Sequence, residues 1–224
     1  MDIAIPILVL LFSLTVHESA HALAALRLGD DTALRMGRVT LNPLAHIDPI
    51  GTIVVPLVMA LLPGGIMFGW AKPVPVNTFQ LRNPMRDHAI IAAAGPASNL
   101  ALAGVFAILL GLLAGFAHQQ AQSGAVTLGT GYTFLRLLFE WGVMLNILLA
   151  LFNLIPLPPL DGSWIMMATL KGELADAYAR LRPFGFVIVI LLMNVGLGRV
   201  LHRCVLYVSD WYLQLSSFVS RFFA

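Results

Sequence analysis

The chain has 224 residues, 59% of them hydrophobic and only 11% charged, with a formal net charge of +2. A soluble domain carries about a quarter charged residues, so there is too little polar surface here to cover a water-soluble globule, and an integral membrane protein remains. No Lys/Arg-rich run with interleaved aromatics occurs, which argues against a nucleic-acid partner, and the single cysteine, Cys204, excludes an internal disulfide and a multi-Cys metal site.

In chain order, Met1-Asp2-Ile3-Ala4 lacks the positive region of a signal peptide and the apolar run continues past His17, so residues 3–28 read as a retained first membrane helix. Leu28 to Pro49 is polar and broken by Gly29, Gly37, Pro43 and Pro49, with Arg38-Val39-Thr40-Leu41 as a candidate short strand. Residues 50–70 are apolar but interrupted by Pro56 and Pro63-Gly64-Gly65. The loop Ala71 to Arg86 contains Lys72-Pro73-Val74-Pro75-Val76-Asn77, extended by the restriction proline places on its predecessor. An apolar segment at 88–117 is interrupted near its start by Gly95-Pro96, and 118–130 is polar. A helix over 133–157 ends at Pro156, Pro158 and Pro159; a short helix and charged connector fill 163–182. A span at 183–201 precedes a last helix at 203–222, whose Arg203, Asp210 and Arg221 beside Trp211 and Phe218 leave open whether it spans or lies in the interface.

Loop charges orient these segments. Arg27, Arg35 and Arg38, then Lys72, Arg82 and Arg86, then Lys171, Arg180 and Arg182 mark cytoplasmic loops, whereas 118–130 has neither Lys nor Arg. Two cytoplasmic loops then flank 50–70, which predicts a re-entrant hairpin; an ordinary span with one loop violating the charge rule is the alternative. The expected fold is an all-α polytopic membrane protein of about five to six segments, with short β-strands in the cytoplasmic-side loops. A single membrane domain would cover 1–224, with a core over about 3–170 and C-terminal helices over about 183–222.

His17-Glu18-Ser19-Ala20-His21 reads H-E-x-x-H. Positions four apart share a helix face, so both imidazoles can reach one zinc ion, while Glu18, about 100° round the helix, can take a proton from an attacking water. With six His and three Glu in the chain, composition alone produces this pattern in about two of a thousand such sequences. A buried polar cluster that packs helices or lines a proton path is the bland alternative, but packing does not require that residue order. Catalytic zinc takes three protein ligands and keeps one position open. His46, His88, His118, His202 and the few acids are candidates for the third, and Asp161 stands out. Topology puts the end of the 133–157 helix and the second half of the first helix near the same cytoplasmic face. An Asp-Gly turn capping the helix that starts near Ser163 is the competing role. His46, on a loop with Asp48, is read as solvated or as supporting the metal site rather than ligating it. Asn99, just past the Gly95-Pro96 break, is read as bonding backbone groups that the break frees, and Arg136 and Glu140 as an i,i+4 pair near the outer face.

Three blocks, His17-Glu18-x-x-His21, Gly95-Pro96-Ala97-Ser98-Asn99 and Asn153-Leu154-Ile155-Pro156-Leu157-Pro158-Pro159-Leu160-Asp161-Gly162, resemble the site-2 protease family of intramembrane zinc metalloproteases. The stretches Leu41 to Pro49 and Gly69 to Pro75 look like its compact prokaryotic branch without PDZ or CBS domains. The resemblance covers most of residues 10–170 and, after 183, only the hydrophobicity. It implies one catalytic zinc on His17, His21 and Asp161, Glu18 as catalytic base, and cleavage of a transmembrane protein substrate within the bilayer. The site would face the cytoplasm of a prokaryotic cell membrane. Asn153 would position substrate or donate to the tetrahedral intermediate, unless it makes a helix–helix hydrogen bond instead. A divalent-metal transporter, or a silent protein that escorts membrane partners, could use the same ligands.

Overall fold

A computed structural model describes residues 3–54, 71–122 and 129–222. The helices are α1 (Ala4–Arg27), α2 (Thr32–Arg35), α3 (Pro84–Gln122), α4 (Thr130–Asn153), α5 (Gly162–Thr169), α6 (Glu173–Ala179), α7 (Gly185–Leu192) and α8 (Gly198–Phe222). Four stretches are long and apolar enough to cross a membrane: α1, α3, α4 and the run Glu173–Phe222 that contains α6 to α8. Most of the expected re-entrant hairpin, from 55 to 70, lies outside the described residues.

Helix α3 is the hub, packing against α1, α4, α5 and α8. The reason is a repeat of small or polar residues every four positions. On α1 the buried row is Ile5, Val9, Ser13, His17, His21 and Ala25; on α3 it is Asp87, Ile91, Gly95, Asn99, Ala103, Ala107 and Gly111. Rows spaced by four are the ridges that interlock between helices, and small residues let the backbones approach. A Cβ on Gly142 of α4 would lie 2.5 Å from Phe106 Cδ2, so the phenyl ring occupies the space a side chain would need. Ala103, Phe106, Ala107, Val143, Ile147, Leu201 and Val205 then close one core between α3, α4 and α8. Phe12, Val105, Ile108, Trp211 and Phe218 face outward, as lipid-exposed side chains do.

Several expectations change. Gly95-Pro96 does not interrupt the helix: α3 runs through Pro96 for 39 residues, about 58 Å at 1.5 Å per residue, so its ends project beyond a hydrocarbon core of about 30 Å. The C-terminal break falls at Met193–Leu197 rather than near residue 202. There Gly196 takes φ +151, a region closed to most side chains, and Asn194 Nδ2 donates back to Ile190 O at 2.8 Å. Helix α7, about 12 Å long, is too short to span alone. No strand forms among the described residues. At 38–41 the cause is local: Arg38 turns its guanidinium to Ala45 O, and Thr40 O accepts from Ser19 of α1, so the backbone is engaged by side chains instead of a neighbouring strand. Residues 71–77 carry no regular secondary structure and no strand pairing.

Candidate metal centre

Helix α1 carries His17, Glu18 and His21, and both imidazoles are buried, 3% and 7% exposed. Asp161 reaches them from the start of α5. The proline-rich turn after α4 folds α5 back tightly, and Gly162 sits so close to Ile155 O that a Cβ there would approach to 2.5 Å. Helix α3 passes the two imidazoles at Gly95, where a Cβ would lie 2.5 Å from His21 Cε1 and 2.6 Å from His17 Cε1. The glycine is the space the rings fill.

The result is three converging donors. His17 Nε2 and His21 Nε2 are 3.0 Å apart, and Asp161 Oδ2 lies 3.1 and 3.3 Å from them. Ligands about 2.0–2.1 Å from a tetrahedral zinc stand roughly 3.3 Å from each other, so this spacing fits a zinc ion with little adjustment. Asp161 Oδ2 is buried and meets neither imidazole at regular hydrogen-bond geometry, an orphan acceptor that a cation would satisfy.

Both imidazoles turn their other nitrogen outward. His21 Nδ1 donates to Ile91 O at 2.7 Å, and His17 Nδ1 donates to Asn99 Oδ1 at 2.6 Å. This is the arrangement that leaves each Nε2 lone pair for a metal. Asn99 therefore does not bond groups freed by a helix break, because no break exists. It links His17 to Asn146 of α4 and to Ser13 O of α1. Asn146, which the sequence reading passed over, is fully buried. Nothing in a single sequence separates it from any other asparagine in an apolar helix.

A cavity of about 600 Å³ opens beside the three donors, walled by Glu18, His88, Asn153, Leu160 and residues of the stretch 71–76. Among the described residues Glu18 accepts no hydrogen bond and has no ion-pair partner. Asn153 lines the cavity and donates to Leu149 O of its own helix at 2.9 Å; among the described residues it makes no hydrogen bond to another helix. His46 is buried at 3%, not solvated, and does not join the donors. It packs against α1, with Nε2 3.0 Å from Thr40 O and 3.4 Å from Ser19 Oγ. His88 stacks on Trp164, ring centroids 3.7 Å apart, while Arg182 lies 4.1 Å over the Trp164 ring, joining α3, α5 and the connector before α7 at the cavity wall. Arg136 and Glu140 pair at 3.6 Å on an exposed face of α4, as their spacing predicts.

Two imidazoles on a membrane-length helix and a carboxylate at the start of α5 lie at zinc-ligand spacing next to an open cavity and a neighbouring glutamate, the candidate centre of a metallohydrolase. The chain belongs to peptidase family M50, whose family model matches residues 5–193, and it is a zinc-dependent metalloendopeptidase and an integral membrane protein. It is 38% identical over 192 residues to the "Putative zinc metalloprotease YwhC" of Bacillus subtilis (strain 168), covering 86% of this chain and 81% of that one. It is 33% identical over 205 residues to the "Putative zinc metalloprotease Rip2" of Mycolicibacterium smegmatis, covering 90% and 71%. The "Putative zinc metalloprotease Rip3" of Mycobacterium tuberculosis is 30% identical over 192 residues, which cover 84% of this chain but 37% of that longer one. No solved structure matches the chain.

Proposed function

We propose that this protease cuts peptide bonds in or near the transmembrane segments of membrane-protein substrates, with His17, His21 and Asp161 holding the zinc and Glu18 serving as general base. The observation that carries the reading is the convergence of three donors beside a cavity lined by Glu18, which has no partner among the described residues. Bound there, zinc supplies the Lewis acidity that brings the pKa of a water toward about 7 and polarises a peptide carbonyl. Glu18 takes the proton from that water as it attacks and returns it to the leaving amine. Asn153, at the cavity wall, donates a hydrogen bond to the substrate carbonyl or to the oxyanion it becomes, after releasing Leu149 O.

A substrate helix has its carbonyls occupied by internal hydrogen bonds, so a short stretch must unwind before one can be attacked. Residues of the stretch 71–76 form one wall of the cavity, and their backbone offers groups to which the unwound stretch can pair as an added strand. Water enters from the cytoplasmic face, the side to which the positive loops assign the site, in a prokaryotic cell membrane. The test is Glu18→Gln in liposomes with a model transmembrane substrate. Cleavage is expected to fall at least a hundredfold while zinc stays bound. Undiminished cleavage removes Glu18 from the role, and metal flux without proteolysis would favour a transporter.

A further inference from the structure

Ser13, Asn99 and Asn146 are each 0% exposed and lie on three different membrane-spanning helices, α1, α3 and α4. Their hydrogen bonds form a directed chain. Asn146 Nδ2 donates to Gly142 O and to Ser13 Oγ, both at 2.8 Å. Asn146 Oδ1 accepts from Asn99 Nδ2 at 2.8 Å, and the same Nδ2 donates to Ser13 O at 3.3 Å. Asn99 Oδ1 then faces His17 Nδ1 at 2.6 Å.

The direction is not arbitrary. A carboxamide can be turned over, exchanging its donor and acceptor ends, and only its partners decide between the two. Gly142 O and Ser13 O are backbone carbonyls, which can only accept. Turning Asn146 over would oppose its Oδ1 to Gly142 O; turning Asn99 over would oppose its Oδ1 to both Ser13 O and Asn146 Oδ1. In a hydrocarbon surrounding no water is at hand to relieve such a clash. Each amide is therefore locked, and the last group in the chain must be a donor: His17 carries its proton on Nδ1 and keeps Nε2 bare.

We infer that Asn146 is a positioning residue for the metal centre: through Asn99 it fixes the tautomer of His17 and so sets the affinity for zinc. The inference rests on the proposal that His17 is a metal ligand. Replacing Asn146 by leucine leaves Asn99 Nδ2 only the long bond to Ser13 O. With only that bond opposing it, Asn99 turns over more readily and offers its NH2 to His17, which favours the tautomer protonated at Nε2, the one that cannot bind metal.

The experiment is zinc affinity by chelator competition in detergent, for the full-length chain and for Asn146→Leu, Asn99→Leu, the double variant and His17→Ala. Side-chain NMR of 15N-histidine-labelled, metal-free wild-type protein accompanies it. Asn146→Leu is expected to weaken zinc binding about 10–100-fold, the usual effect of losing an outer-shell partner, and the double variant no more than Asn99→Leu alone. The His17 signal in wild type should report protonated Nδ1 and bare Nε2. Wild-type affinity in Asn146→Leu, or losses that add in the double variant, would overturn the inference. So would a wild-type His17 protonated at Nε2, a readout that does not need any variant to fold. Zinc binding unaffected by His17→Ala would instead remove the ligand assignment, and the inference with it.

Discussion

Substituting Gly95 by alanine sets a methyl group against both imidazole rings. Its Cβ would stand 2.5 Å from His21 Cε1 and 2.6 Å from His17 Cε1, and nearer still to His21 Nε2. Carbon atoms settle at about 3.5–4.0 Å, so roughly 1 Å of clearance has to be found. The rings are poorly able to yield, because His21 Nδ1 is tied to Ile91 O and His17 Nδ1 to Asn99 Oδ1. Either those bonds break or α1 and α3 move apart along their interlocked rows. Overpacking of this kind costs about 1–3 kcal/mol of stability. The effect on the metal is larger in proportion, since ligand distances hold to within about 0.2 Å and the displacement is several times that. Purified Gly95→Ala should therefore carry clearly less than one zinc per chain by elemental analysis. Its helical content by circular dichroism should stay that of wild type, because alanine is a better helix former than glycine. Full zinc occupancy at wild-type affinity would refute the claim that Gly95 exists to admit the two rings.

Metal removal gives a simpler expectation. Dialysis against a strong chelator should abolish cleavage, and zinc added back to slight excess should restore it, measured with the same liposome substrate. Asp30 gives a test of the cavity wall: it is 0% exposed, takes Asn77 N on Oδ2 at 2.7 Å and Thr32 N on Oδ1 at 3.0 Å. Asp30→Ala leaves those two donors unmet and loosens the stretch 71–77 from the end of α1. It should raise KM several-fold and lower stability by about 1–3 kcal/mol without changing zinc content. An unchanged KM would mean that this stretch does not hold substrate.

The sequence carried the donor set because H-E-x-x-H encodes one helix turn, a local geometry, and because loop charges placed Asp161 at the right depth. It could not show what surrounds the set. In a soluble helix the buried face is marked by apolar residues against polar ones, but here lipid and protein both select apolar side chains. The rows His17-His21-Ala25 and Gly95-Asn99-Ala103-Ala107 are visible as a four-residue rhythm only once their partners are known. Gly95-Pro96 misled for a related reason. Proline breaks helices in water, yet inside a packed bundle neighbouring helices hold the chain in line and α3 continues through it. The C-terminal break falls inside the stretch expected to span 183–201 because Gly196, at φ +151, makes the bend there. The solvated reading of His46 fails because the burial of a loop side chain leaves no trace in composition.

The charge balance of the cavity joins these features. Its lining holds two carboxylates, Glu18 and Asp161, and among the described lining residues neither lysine nor arginine. Carboxyl groups in a largely apolar recess are poorly solvated, a costly arrangement if nothing compensates. A divalent cation held by Asp161 and the two imidazoles, as proposed above, would offset that cost. Uncharged partners around the imidazoles preserve the balance, since Asn99 and Ile91 O orient His17 and His21 without adding a third negative charge. In many soluble sites a carboxylate does that work. In a bilayer the carboxamide is the better choice, because it supplies the acceptor His17 needs while its NH2 is anchored on Asn146 and Ser13, and no further ion has to be taken out of water.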